Sequence, residues 1–178
     1  VGRLGEVWWI DAYRVDVATG AATRLARASL DEQAHGVIAP DGRTAVFKRH
    51  YGEGGLTLLD LVDGSKTQLG GGDTPVYSSD GRQLAFARTV TVGTWPDTLR
   101  LMQVFVADLD TGTLRQVTDH RDPTLRFATI DWSADGTHVL VQHWNEGDLR
   151  QQLAILDLAT VEFWPLPQGI AADEAWFD

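Results

Sequence analysis

The chain has 178 residues, 43% hydrophobic and 22% charged, a composition that builds a packed core and excludes a disordered polymer. It has no cysteine, which rules out disulfides, thiolate metal sites and a cysteine nucleophile. The formal net charge of −10 repels nucleic acid and anionic lipid, and no apolar run reaches the roughly 18 residues of a helical membrane span.

In chain order the sequence reads as one four-fold repeat. The opening Val1-Gly2-Arg3 matches the end of an Asp-Gly-Arg turn that recurs downstream. Strands are expected near residues 7–10, 13–17 and 22–26, the last two joined by the turn Asp16-Val17-Ala18-Thr19-Gly20. The second repeat places Ile38 on a strand, then Pro40-Asp41-Gly42-Arg43, strands at 44–50 and 56–61, and Asp60-Leu61-Val62-Asp63-Gly64. The third has Tyr77, Ser79-Asp80-Gly81-Arg82, strands at 83–90 and 102–109, and Asp108-Leu109-Asp110-Thr111-Gly112. The fourth has Trp132, Ala134-Asp135-Gly136-Thr137, strands at 138–144 and 152–158, and Asp157-Leu158-Ala159-Thr160-Val161. An aliphatic residue follows each second turn at the same offset: Leu25, Leu69, Val117 and Leu166. The C-terminal Ala175-Trp176-Phe177-Asp178 begins the pattern again, with Trp176 in the position of Trp132.

Each unit has the chemistry of short antiparallel strands. Asp-Gly closes a hairpin because glycine accepts positive φ and aspartate bonds its own backbone. The segments between turns are rich in strand formers. Four strands in roughly 40–50 residues is the period of a β-propeller blade. The expected fold is all-β: one propeller domain, 1–178, of four four-stranded antiparallel blades. Its repeats run approximately 1–33 plus 174–178, 34–72, 73–126 and 127–173.

The stretch Trp132-Ser133-Ala134-Asp135-Gly136, with the later Leu156-Asp157-Leu158, resembles the TolB-type, WD-repeat-like propeller repeat. That repeat also occurs in the propellers of prolyl oligopeptidase relatives, tricorn-like proteases and oligogalacturonate lyases. The likeness covers essentially the whole chain and departs from the family at Ile38 and Tyr77, where tryptophan is favoured. It implies a bacterial periplasmic, envelope or secreted setting. Two closures are open. In one, the first blade is completed by the N- and C-terminal strands and four blades close within one chain. In the other, the chain is half of an eight-bladed ring made by two copies, or an arc of a longer protein.

Aligned repeats put His35, Thr74, Thr129 and Asp173 at the channel mouth, where His and Asp would offer metal ligands but the two threonines are weak ones. Channels are polar chiefly because water fills them, and no metal or cofactor is expected. Arg49, Arg88 and His143 end the second strands of their repeats and form a basic group suited to an acidic partner. The excursion between residues 88 and 100 presents Trp95 beside Pro96, an apolar anchor for a partner or a ring folded onto its own blade. No serine stands in a Gly-x-Ser-x-Gly elbow, and no His-Glu-x-x-His, phosphate loop or calcium loop occurs. The expected role is therefore a non-enzymatic scaffold that presents a loop face to a protein or peptide, acidic in character. The alternatives are a metal-dependent, polysaccharide-lyase-like enzyme working at the channel mouth, and a structural half-ring that assembles as a homodimer.

Overall fold

The computed structural model describes residues 2–4, 7–29, 36–49, 55–148 and 150–167. Among them there is no helix, and every pair of neighbouring strands is antiparallel. The chain divides into two compact units, Val1–Gly71 and Gly72–Asp178. The division falls at the border between the second and third repeats, and each unit carries two blades.

In the first unit, β1 (Gly2–Leu4), β2 (Val7–Val15) and β3 (Ala22–Ser29) form a three-stranded sheet. The second blade orders β4 (Gly36–Ile38), β5 (Thr44–Arg49), β6 (Gly55–Asp60) and β7 (Lys66–Gly70) in sequence. Ala45, Val46, Leu56 and Leu59 are buried in this unit. The third blade orders β8 (Asp73–Tyr77), β9 (Gln83–Val92), β10 (Leu99–Asp108) and β11 (Leu114–Gln116). The fourth orders β12 (Leu125–Trp132), β13 (His138–Asn145), β14 (Gln152–Asp157) and β15 (Phe163–Pro165).

The first blade corrects one expectation. Residues 7–10 and 13–17 are not two strands; one continuous strand, β2, spans Val7–Val15 and pairs with β1 on one side and β3 on the other. Asp11 and Ala12 offer no glycine for a reversal, and the chain takes a register irregularity at Ala12/Tyr13 instead of a turn. The strand expected from residues 174–178 lies outside the described residues.

Both turn families form as their chemistry requires. In the Asp-Gly turns, the N–H groups of Gly42, Gly81 and Gly136 donate to the carbonyls of Ala39, Ser78 and Ser133 at 2.8–2.9 Å. The aspartate carboxylate accepts the N–H two residues on, as Asp135 does from Thr137 at 3.0 Å. In the second family, the N–H groups of Gly20, Gly64 and Gly112 reach back to the carbonyls of Asp16, Asp60 and Asp108 at 2.7–3.0 Å. These glycines take φ of 71°, 77° and 71°. Val161 makes the same bond to Asp157 at φ 63°, a left-handed conformation that a β-branched side chain disfavours.

The core of the second unit lies between its two blades. Ala85, Ala87, Val104 and Val106 on one face of the third blade meet Phe127, Val139, Val141, Ala154 and Leu156 on the facing side of the fourth. Trp132 closes this core at 4% exposure, its indole N–H donating to Val76 O at 3.0 Å. Ser79 Oγ donates to Ala134 O at 2.9 Å, and Arg115 donates to Leu158 O at 3.0 Å, so the blades are also tied at their turns.

Candidate functional site

Hairpin length sets this site. β9 and β10 have ten residues each, against six in β5 and β6. The Thr89-Val90-Thr91-Val92 alternation continues the strand past residue 90, and Leu99 pairs back with Val92. On the face that meets the fourth blade, the register runs outward through Ala85–Val106, Ala87–Val104, Thr89–Met102 and Thr91–Arg100. The inner two pairs are in the shared core, and Met102 packs at its border. The fourth blade ends there: Phe127 N–H points to Met102 Sδ at 3.2 Å, two residues from the start of β12. Beyond that level the hairpin overhangs, with Trp95 at its tip 87% exposed.

Under the overhang is a cleft of about 240 Å³ lined by Thr89, Arg100, Met102 and Arg126. Arg126 is held on three sides. Its guanidinium donates to Pro123 O at 2.8 Å and Leu125 O at 3.1 Å, and it pairs with the Glu146 carboxylate. The Arg100 side chain, on the opposite wall, makes no hydrogen bond or ion pair among the described residues and is exposed. A polar network behind the cleft holds β10 in place. Buried Gln103 donates to His120 O at 2.9 Å and accepts from Thr118 Oγ1 at 2.7 Å. His120 Nε2 donates to Met102 O at 2.6 Å, and its ring lies 5.3 Å from that of Phe127. These bonds tie the loop after β11 to β10.

Thr74 and Thr129 do meet, on β8 and β12, the first and edge strands of their blades. Thr129 N–H donates to Thr74 Oγ1 at 3.0 Å, and the Thr129 hydroxyl donates to Thr74 O. Thr74 has φ 46°, left-handed like Val161. His35 and Asp173 lie outside the described residues. No group of three histidine, aspartate or glutamate side chains that would hold a metal occurs among the described residues.

Arg88 and His143 are placed apart. Arg88 stands on the far face of the third blade with its guanidinium 5.0 and 5.1 Å from the ring centroids of Phe86 and Phe105. Burial holds its pKa below the ordinary arginine value. His143 lies on the face of the fourth blade that meets the third, 6.4 Å from Phe127 and 6.4 Å from Phe163. Burial pushes its pKa below the usual imidazole value. Arg49 ends β5 in the first unit, opposite Gly55. Sequence reading missed Arg100 and Arg126. The alternation through residue 92 was the signal for the overhang, but their convergence depends on strand register.

No family model and no curated protein matches the chain. Solved structures do. TolB from Acinetobacter baumannii superposes with a TM-score of 0.65 at 21% identity, covering 86% of this chain and 37% of that one. A prolyl endopeptidase gives 0.64 at 18% identity, covering 89% and 26%. Dipeptidyl peptidase 4 from Porphyromonas gingivalis gives 0.58 at 11% identity, covering 93% and 29%. The chain thus spans between about a quarter and two fifths of the length of these proteins. The likeness establishes the TolB-like β-propeller repeat as the fold.

Proposed function

We propose that this chain is a propeller scaffold that binds a protein or peptide partner through the loop face bearing the β9–β10 overhang. The observation that carries this reading is a large apolar ring, Trp95, held at the tip of a ten-residue-strand hairpin with a charged cleft beneath its outer end. An 87% exposed tryptophan is costly in water and is the side chain that contributes most at binding hot spots. Its mount is a continuous ladder from Gln83–Asp108 out to Val92–Leu99, so little ordering entropy is lost on binding.

The test is site-directed photo-crosslinking. A benzophenone side chain at position 95 is expected to capture a discrete partner from the native cell extract. The same group at Leu114, on the outer strand β11, is expected to capture none. Equal capture from both positions, or none from 95, refutes the reading. The lyase-like reading centred on His35 has no supporting observation among the described residues. Self-assembly remains a separate proposal, checked by solution mass.

A further inference from the structure

The cleft beneath the overhang goes one step further, and the step rests on the scaffold reading. We infer that Arg100 and Arg126 form a receptor for a single carboxylate of the bound polypeptide, with Arg126 as the fixed half of the clamp and Arg100 as the half that closes.

Three observations lead there. The first is charge. Two guanidiniums face the cleft and Glu146 neutralises one of them, so the site carries about one net positive charge and suits a monoanion. A dianionic phosphate would meet the Glu146 carboxylate beside its second charge. The second is preorganisation. Pro123 O, Leu125 O and Glu146 fix the plane of Arg126, and charge-assisted bonds to a pre-aimed guanidinium are the stronger kind. Arg100 has no such partner among the described residues and is free to swing. Thr89 adds a hydroxyl donor on the same wall.

The third is size. A volume of about 240 Å³ is below the range of roughly 300–1,000 Å³ in which whole small-molecule ligands are enclosed. It has room for one acidic side chain or a chain terminus. The Thr91–Arg100 pair is about 10 Å along the strand from the hairpin tip, a distance that an extended segment of three or four residues spans. A peptide laid along the hairpin would place an apolar residue against Trp95 and a carboxylate in the cleft.

The experiment follows the arginine Nε–Hε resonances of the ¹⁵N-labelled full chain. Three probes are added: acetyl-Ala-Ala-Glu-Ala-Ala-amide, its glutamine counterpart, and acetyl-tetra-alanine with a free C-terminus. The Arg100 and Arg126 signals are expected to move with one or both carboxylate probes. Movement with the first alone identifies a side-chain carboxylate, and movement with the last alone identifies a chain terminus. The glutamine peptide is expected to leave them in place. Arg100→Gln and Arg126→Gln should each weaken binding about tenfold, with the Trp132 indole signal unmoved as a check on folding. Equal response to glutamine, no response at 20 mM, or unchanged affinity in both variants overturns the inference. If carboxylates fail while position 95 still crosslinks a partner, only this inference falls. If position 95 captures nothing, the scaffold reading falls with it.

Discussion

Two β-branched residues of the second unit occupy left-handed backbone, and they do so for different reasons. Thr74, at φ 46°, is held by the fourth blade: it takes the Thr129 N–H on its hydroxyl and the Thr129 hydroxyl on its carbonyl. Val161, at φ 63°, is on the turn after β14, where three sister repeats have glycine and where, among the described residues, its own hydrogen bond is the local one to Asp157 O. Strain at the first position is fixed by the packing of the blades; strain at the second is a local cost of the residue. A left-handed β-branched residue is thus informative about assembly only when its surroundings over-determine it.

Mutations separate the two cases. The largest effect is expected at the blade interface that holds Thr74 in place. Trp132→Ala removes a nearly buried ring and its bond to Val76 O, and should lower stability by about 3–5 kcal/mol in urea denaturation of the full chain. Next comes Thr74→Gly. Strain relief contributes about 1 kcal/mol, but the Thr129 N–H loses its acceptor at a cost of about 1–3 kcal/mol, so the net change should be destabilising. A stabilised Thr74→Gly chain would show that the cross-blade bonds do not hold the residue there. Val161→Gly should have the opposite sign, a gain of about 1 kcal/mol, because relief of the left-handed strain outweighs the modest packing of a side chain at the surface. The reciprocal Gly112→Ala should cost about 1 kcal/mol. A Cβ at Gly112 would meet nothing within 4 Å, so only the backbone term is measured.

The smallest effect belongs to the turn carboxylates, which frame the same loops from outside. Asp135 is held at about 2, chiefly by the Ser133 hydroxyl and then by the Thr137 hydroxyl and N–H. Asp80, Asp108 and Asp157 are lowered for the same kind of reason, led respectively by the Ser78 hydroxyl, the Thr111 N–H and the Thr160 N–H. A carboxylate whose folded value is below its unfolded one stabilises the fold above about pH 4 and loses that contribution as pH falls toward about 2. The thermal midpoint should therefore decline through this window, and Asp135→Asn should flatten the decline. An unaltered acid profile would show that the turn bonds do not survive in solution.

Much of the fold was legible because its punctuation is chemical. Asp41-Gly42, Asp80-Gly81 and Asp135-Gly136 fix one end of each strand, and the turns led by Asp16, Asp60, Asp108 and Asp157 fix the other. Where punctuation was missing the reading failed: Asp11-Ala12 looked like a gap between strands and is the middle of one. The blade interface was legible at Trp132 but not at Ile38, which stands at the same offset and is half exposed. The site was harder still. Trp95 announced itself by position, but Arg100 and Arg126 belong to different repeats. Only the register of a hairpin that outruns its neighbouring blade brings them to one cleft.

The brevity of β11 and β15 has a consequence for behaviour at high concentration. Each outer ladder offers three residues, and β15 ends in Pro165, whose nitrogen carries no proton to share. Steric zippers are built on segments of six or seven residues, so strands this short blunt the addition of strands from other molecules at these two rims.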